Sequence, residues 1–471
     1  MELTTFIRDY NLSFPLVVLP TIFFIILITK LFYLKNIKNL PPGPPQLPII
    51  GNLHQVGAKP HVSIADLAKR YGRLISLRFG SQLVVVASSP EAAIGILKTQ
   101  DQLLSARPVP NLVKHAHLLP HSVMWSECNQ TWKSLRTLLR TGVFSRKALE
   151  AQSGLRNEKV SQLLNFLRKK QGEEIDIEEV VFTTLFNTLS SIILGKDLLD
   201  LNAEQGTHDG LKESLHKVIE YAGFTNDLSS VYPMLERFDL QGIRSGTLKQ
   251  YDKMFSYWKD IVEERRAQEL FIPGTNTTTS AVVWAMSELV RHKEVRSKIE
   301  EEIKKEINSH ETTNFQLSKL TYLQACIKET FRLHPPVPLL LPHKAVETCE
   351  VMNYTIPKDT MIFVNVWAIG HDAKIWDEPL SFKPERFMDS RLDFKGQDFE
   401  LIPFGSGRRM CPGSPSGVSS LESILASLIR EFDWALPNGD DPSKLDMNDK
   451  FGIATKRSKP LKLIFKQKQS N

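Results

Sequence analysis

Four cysteines are all that this chain of 471 residues contains, and Cys128, Cys326, Cys349 and Cys411 include no C-x-x-C pair. That scarcity excludes a disulfide framework and a cysteine zinc site, and it suits a reducing compartment. Charge of one sign is also in short supply. The net charge is only +6, and no basic stripe interleaved with aromatics is present, so nucleic acid is not an expected partner. No GxGxxG fingerprint opens a βαβ unit, which leaves no fused dinucleotide-binding or flavin domain. Internal repeats and low-complexity tracts are absent as well.

One absence is local. Asn11 to Thr29 carries no charge and is rich in Leu, Ile, Val and Phe, and the apolar character continues through Leu31, Phe32, Tyr33 and Leu34. That length crosses a bilayer. Lys30, Lys35 and Lys38 follow, while Glu2, Arg8 and Asp9 nearly cancel ahead of it, so the downstream side is expected in the cytosol. A cleaved signal would show a basic start, a shorter apolar run and a small-residue cleavage site, so an uncleaved, single-pass anchor is expected. Leu40-Pro41-Pro42-Gly43-Pro44-Pro45 then reads as a stiff, extended spacer. The predicted organisation is an anchor over 1–35, a Pro-rich hinge over 36–48 and a globular domain over 49–471. The glycosylation sequons at Asn129, Asn276 and Asn353 fall in that cytosolic part and are read as chance.

Most of the globular part has helical periodicity. Two strand-like runs, Leu74 to Phe79 and Leu83 to Ala87, flank Gly80-Ser81-Gln82 as a hairpin. A second pair is predicted around Cys349 to Ile356 and Met361 to Val366, turning at Pro357-Lys358-Asp359, and the two regions are expected to form one β-rich lobe. Lys293 to Glu311 is charged nearly all round and reads as a solvated helix.

The most specific stretch is Phe404-Gly405-Ser406-Gly407-Arg408-Arg409-Met410-Cys411-Pro412-Gly413, just ahead of a helix-like apolar run. Cationic neighbours and helix N-terminal N–H groups favour a thiolate, and a bound metal completes its deprotonation. The alternative, a buried structural cysteine in a glycine turn, does not need six specified positions in ten. The spacing Phe-x-x-Gly-x-Arg-x-Cys-x-Gly closely resembles the haem-ligand signature of the cytochrome P-450 family. That resemblance implies a mainly α fold with a small β-rich lobe and haem b held by the Cys411 thiolate, a ligand that favours O–O cleavage. Phe404 would cover the sulfur, with Gly413 beside it. Trp132 and Arg136, one helical turn apart, match the family's propionate-binding Trp-x-x-x-Arg, with Arg409 and His343 as further propionate partners. For His343 an exposed loop histidine stays open. Glu329, Arg332 and Arg386 match a structural charge network. Electrons would come from NADPH through a separate flavoprotein reductase, docked on basic residues including Arg408. The chain would lie in the endoplasmic reticulum membrane.

The oxygen-handling segment departs from the family pattern Ala/Gly-Gly-x-Asp/Glu-Thr. Here Gly274 and Thr277 are kept, Pro273 replaces the small residue and Asn276 replaces the acid. Proline has no N–H for the carbonyl of Glu269, so a kink is expected, and asparagine cannot titrate near neutral pH. Proton delivery should suffer, which favours phenol coupling over hydroxylation, with ordinary hydroxylation left open. Trp125-Ser126-Glu127-Cys128 and Tyr354-Thr355-Ile356-Pro357-Lys358 resemble a plant branch acting on benzylisoquinoline and tropane alkaloids, so an alkaloid substrate, or a tropane-type rearrangement, is implied. Between Arg266 and Phe271 the chain is shorter than is usual, and Ser414 to Ser420 is more polar than the usual start of the next helix. An impaired haem-binding relative is therefore a further alternative. Pocket positions are expected near His115 to Trp125, Phe224, Val337 to Leu341 and Phe451 to Ala454.

Overall fold

The computed structural model describes residues 39–110, 122–202, 228–258, 268–307, 314–452 and 454–469, with a few isolated positions besides. The expected anchor over 1–35 and the pocket positions His115 and Phe224 lie outside the described residues.

The main helices are α1 (Pro60–Tyr71), α2 (Gln130–Leu138), α3 (Ser153–Lys169), α4 (Ile177–Leu194), α5 (Ile243–Trp258), α6 (Gln268–Arg291), α7 (Lys293–Glu306), α8 (Thr321–Leu333) and α9 (Ser414–Glu431). Their starts are written locally. Asn129 accepts from the Trp132 N–H and caps α2, and Asp176 accepts from Glu178 and Glu179 and caps α4. Among the described residues, α4 is long and apolar enough to cross a membrane, yet 61% of its apolar window is buried inside the protein. It is a core helix, packed between α3 and α6. The largest apolar cluster joins Leu163 and Leu167 of α3, Val181 and Leu185 of α4, Met286 and Leu289 of α6, and Leu425 and Ile429 of α9.

The strands are short: β1 (Leu74–Phe79), β2 (Gln82–Ala87), β3 (Glu174–Asp176), β4 (His343–Lys344), β5 (Cys349–Val351), β6 (Tyr354–Ile356), β7 (Met361–Val364), β8 (Phe432–Ala435), β9 (Asp449–Lys450), β10 (Lys456–Arg457) and β11 (Lys462–Gln467). The first sheet has the order β1-β2-β7-β4, with β1 antiparallel to β2 and β2 parallel to β7. The expected lobe therefore forms. Its second hairpin is different: β5 pairs with β6 across Met352 and Asn353, both at positive φ, and β7 leaves to join the first sheet. The predicted turn at Pro357 to Asp359 instead connects two sheets. A third sheet, β3-β11-β8, ties the chain's end to the start of α4.

Two further expectations are corrected. α7 is not solvated all round, because Val295, Ile299 and Ile303 form a buried stripe at four-residue spacing. The Pro-rich hinge, from residue 39 on, is pinned to the fold. The Ser76 N–H donates to the Pro42 carbonyl (2.9 Å), the Ser76 hydroxyl to Pro41 (2.7 Å), and Asn52 Nδ2 to Pro45 (3.1 Å).

Candidate active site

Cys411 lies between a 3-10 turn, Gly407–Arg409, and the start of α9. The loop needs glycine at 407, where φ is +65° and a Cβ would stand 2.1 Å from the Leu97 carbonyl oxygen. The Cys411 N–H donates to the Phe404 carbonyl (2.9 Å), and the Phe404 ring packs edge-on against Phe331 and Phe394. Cys411 counts as exposed by accessible area, but the face it shows lines an internal cavity. Burial pushes its thiol pKa up, outweighing the backbone N–H groups of Gly413 and Ser414 and the charge of Arg136. The loop by itself therefore favours the protonated thiol, and a metal bound there would turn the balance.

That cavity has a volume of about 800 Å³ and a mainly apolar lining. One side is ringed by Arg107, Arg136, His343 and Arg409. Arg136 Nη1 donates to the Met410 carbonyl (2.7 Å), and Arg409 donates to the carbonyls of Ser105 (2.8 Å) and Ser126 (2.6 Å). Trp132 is buried between these two guanidinium groups, 5.5 Å from Arg136 and 4.8 Å from Arg409. Its indole N–H donates to the Val123 carbonyl (3.0 Å), so its part here is to stack the arginines rather than to line the cavity. His343 is 5% exposed, with Nδ1 hydrogen-bonded to the Leu104 carbonyl (2.7 Å). This removes the exposed-loop alternative. Burial, then the nearby Arg107, holds its pKa well below the usual histidine value.

Arg107 was not singled out by the sequence. Its Nη1 donates to the carbonyls of Leu341 (2.6 Å) and Pro342 (2.8 Å), while its Nε–H is buried without a hydrogen-bond partner. Burial, then Arg409, lowers its pKa to about 9. Three crowded guanidinium groups, with an orphaned donor among them and a neutral histidine beside them, call for anionic charge. A lone thiol in the same cavity, small residues at Gly413 and Gly417 in the lining, and apolar walls fit a flat macrocycle with carboxylate arms. Among the described residues no cluster of three or more His, Cys, Asp or Glu side chains is placed to hold a metal ion in another way.

α6 brings Pro273, Gly274 and Thr277 into the same cavity. The expected kink does not interrupt it: the helix runs unbroken from Gln268 to Arg291 with Pro273 inside. Thr277 Oγ1 donates to the Pro273 carbonyl (2.8 Å). Asn276 is 5% exposed but does not line the cavity, and it lies one turn before Ser280 on another face of the helix. Of the expected pocket positions, Val337, Leu340 and Leu341 line the cavity, as do Val123 and Met124, whereas Phe451, Gly452 and Ala454 do not.

Glu329, Arg332 and Arg386 come together away from the cavity. Arg332 meets Glu329 through Nε (2.7 Å) and Nη2 (2.8 Å), both side chains fully buried, and Arg386 Nε reaches Glu329 at 3.1 Å. The Lys383 N–H also donates to Glu329 (2.8 Å). This is a lock between α8 and the Pro384–Phe387 turn; removing one member strands the remaining charges.

The family profile "Cytochrome P-450" matches residues 41–270 and 267–465, two stretches that meet where the chain is short before Phe271. A probable (S)-N-methylcoclaurine 3'-hydroxylase isozyme 2 of Coptis japonica is 44% identical over 462 residues, covering 92% of this chain and 94% of the relative. Geraniol 8-hydroxylase of Catharanthus roseus is 37% identical over 488 residues (95% and 98%). Corytuberine synthase of Coptis japonica is 37% identical over 466 residues (92% and 95%).

Proposed function

This chain belongs to the cytochrome P-450 family and is a monooxygenase, and from that premise we propose that it hydroxylates a benzylisoquinoline-type alkaloid at a haem held by the Cys411 thiolate. The carrying observation is the cavity that brings a single thiol together with three guanidinium groups and a buried neutral histidine, one guanidinium having an orphaned N–H. The names of the relatives support the substrate class, with hydroxylases of N-methylcoclaurine among them. NADPH would be the electron source through a separate reductase, and an anchor over 1–35 would hold the chain on the endoplasmic reticulum.

Haem, when bound, supplies the oxidising chemistry, with the thiolate donating electron density that favours O–O cleavage. The protein's own residues do the rest. Arg107, Arg136, Arg409 and His343 would neutralise and orient the carboxylate arms. Phe331, Phe394 and Phe404 keep water from the sulfur side. Val337, Leu340 and Leu341 offer the substrate an apolar wall. Thr277 is the hydroxyl on the oxygen side; its proton is given to the Pro273 carbonyl, so it presents lone pairs to a water or a substrate O–H.

That last contact favours a second reading. With Asn276 off the cavity and Thr277 bonded to its own backbone, these two residues supply protons weakly, which would bear less on oxidative phenol coupling, whose two phenol groups themselves release hydrogen as oxygen is reduced to water. One incubation separates the two. With (S)-N-methylcoclaurine, a reductase and isotopically heavy dioxygen, hydroxylation places one heavy oxygen atom in the product; coupling leaves the product unlabelled. Before that, the reduced protein with carbon monoxide should show the long-wavelength absorption band of thiolate-ligated haem. Its absence from folded, haem-loaded protein sinks the thiolate assignment.

A further inference from the structure

Part of the cavity wall comes from the segment His334 to Pro342, of which Pro336, Val337, Leu340 and Leu341 line the space and which has prolines at 335, 336, 338 and 342. Each proline lacks an N–H, so the segment has little with which to donate. It is held through its carbonyls, by donors from elsewhere. Arg107 donates to Leu341 and Pro342, and the Trp367 N–H donates to Pro338 (3.2 Å). At the other end the donor is Thr455. Its N–H donates to the Pro336 carbonyl (2.8 Å), and its Oγ1 bonds Pro335 (3.1 Å) and Pro336 (3.3 Å).

Thr455 is itself held by the oxygen-side helix. Ser280 Oγ of α6 donates to the Thr455 carbonyl (2.6 Å), and Ser280 and Thr455 are both buried. Ser280 stands three residues beyond Thr277, while Pro336 and Val337 line the cavity. A second tie runs alongside. His334 stacks on Trp284 of α6 (4.2 Å between rings), and its Nε2 meets Glu288 (2.6 Å). The chain of contacts Thr277–Ser280–Thr455–Pro336–Val337 therefore joins the two faces of the reaction space. Leu340 farther along the wall is at φ +51°, a conformation that persists only when its surroundings hold it.

We propose that Thr455, which does not line the cavity, is a positioning residue that sets the gap between Thr277 and the Val337–Leu341 wall and thereby the size of molecule accepted. The inference rests on the haem-thiolate reading. It is tested with two nitrogenous haem ligands that need no knowledge of the substrate, imidazole and the bulkier phenylimidazole, titrated by their spectral shifts. The carbon monoxide band is recorded first for every variant.

Thr455→Val keeps the shape and removes the hydroxyl; Thr455→Ser keeps the hydroxyl. At equal haem content, Thr455→Val should change the phenylimidazole dissociation constant about tenfold and leave imidazole within about twofold. Thr455→Ser should bind both as the wild type does. Ser280→Ala should repeat the Thr455→Val effect, and the double variant should add little to it, because the bond from Ser280 to the Thr455 carbonyl and the bonds from Thr455 Oγ1 to Pro335 and Pro336 are successive links of one chain of contacts. Ser280→Ala also keeps the test open if Thr455→Val fails to fold. Wild-type binding of both ligands by Thr455→Val or Ser280→Ala, or equal effects of Val and Ser at 455, overturns the proposal. A wild-type protein without the carbon monoxide band overturns the underlying haem-thiolate reading instead.

Discussion

Arg107 and Cys411 mark the two extremes of what a single residue reveals in a sequence. Cys411 stands in a ten-residue pattern whose glycines and cations are contiguous, so its chemistry is visible without coordinates. Arg107 stands in an ordinary Arg-Pro step, and its importance comes from carbonyls more than 230 positions away. The family pattern pointed to Arg136, His343 and Arg409, which the structure places in the cavity lining; the stacking role of Trp132 was not legible, because Val123 takes its N–H. Loss of the Arg107 guanidinium should weaken haem retention. A charge-assisted hydrogen bond contributes about 1.5–3 kcal/mol, so Arg107→Gln should lose haem roughly 10 to 100 times faster, measured by transfer to excess apomyoglobin. An unchanged rate would remove Arg107 from the site. Asn276 offers the opposite test. The sequence suggested that asparagine in place of the acid weakens proton delivery, but the residue is buried off the cavity. Asn276→Asp should therefore lower the thermal midpoint, by the cost of burying a carboxylate, without raising product formed per NADPH consumed.

Elements were legible where one local rule governs and obscure where partners decide. The β1–β2 hairpin follows from two short apolar runs flanking a glycine turn. The pairing of β5 with β6 turned on two residues, Met352 and Asn353, that a sequence does not announce as left-handed, and β7 was claimed by β2 across the chain. In α7, three aliphatic residues at four-residue spacing were masked by the charges around them. The end of α6 carries a titratable lock of its own. Glu288 is 1% exposed and bonded by His292 and His334; burial alone would raise its pKa, but those hydrogen bonds and the charges of His334 and Arg291 hold it at about 2. An ordinary glutamate titrates near 4.5, so the folded state gains from the ionised form above pH 4.5 and loses that gain as pH falls toward 2. The stake is about 3 kcal/mol. His292 has the opposite sign, since its pKa is raised chiefly by the hydrogen bond to Glu288. Its contribution is complete below the unfolded value and fades as pH rises through the folded one. Chemical denaturation should show Glu288→Gln less stable than the wild type at pH 5.5, with the gap closing between pH 4.5 and 2. A gap independent of pH would mean that packing, not charge, sets the role of Glu288.

At the scale of the whole molecule, the sequence pointed to an anchor, a spacer and a catalytic domain, and the spacer is where coordinates change the reading. A Pro-rich run read alone is a free-standing rod. In the fold, Asn39 to Pro45 serves as an extra edge to the sheet: Pro41 and Pro42 accept from Ser76, Pro45 accepts from Asn52, and the Asn39 carbonyl accepts from the Thr355 N–H at 2.8 Å. Gly43 is required there, because a Cβ would stand 2.0 Å from the Ser76 carbonyl oxygen. The rod therefore belongs to the domain, and whatever precedes residue 39 leaves the protein from a fixed point beside β1 and the β5–β6 hairpin. Two truncations measure this. A chain beginning at residue 39 keeps all of these bonds, whereas one beginning at residue 49 loses them. At roughly 0.5–1.5 kcal/mol net for each of the four hydrogen bonds, the shorter chain should be about 4 kcal/mol less stable to urea. The longer chain should match one that keeps the full N-terminus in detergent. Gly43→Val in the full chain should fall between them, since it forces the rod off β1 but leaves the Asn39 contact to form. Equal stability of the 39–471 and 49–471 chains would return the segment to the status of a simple tether.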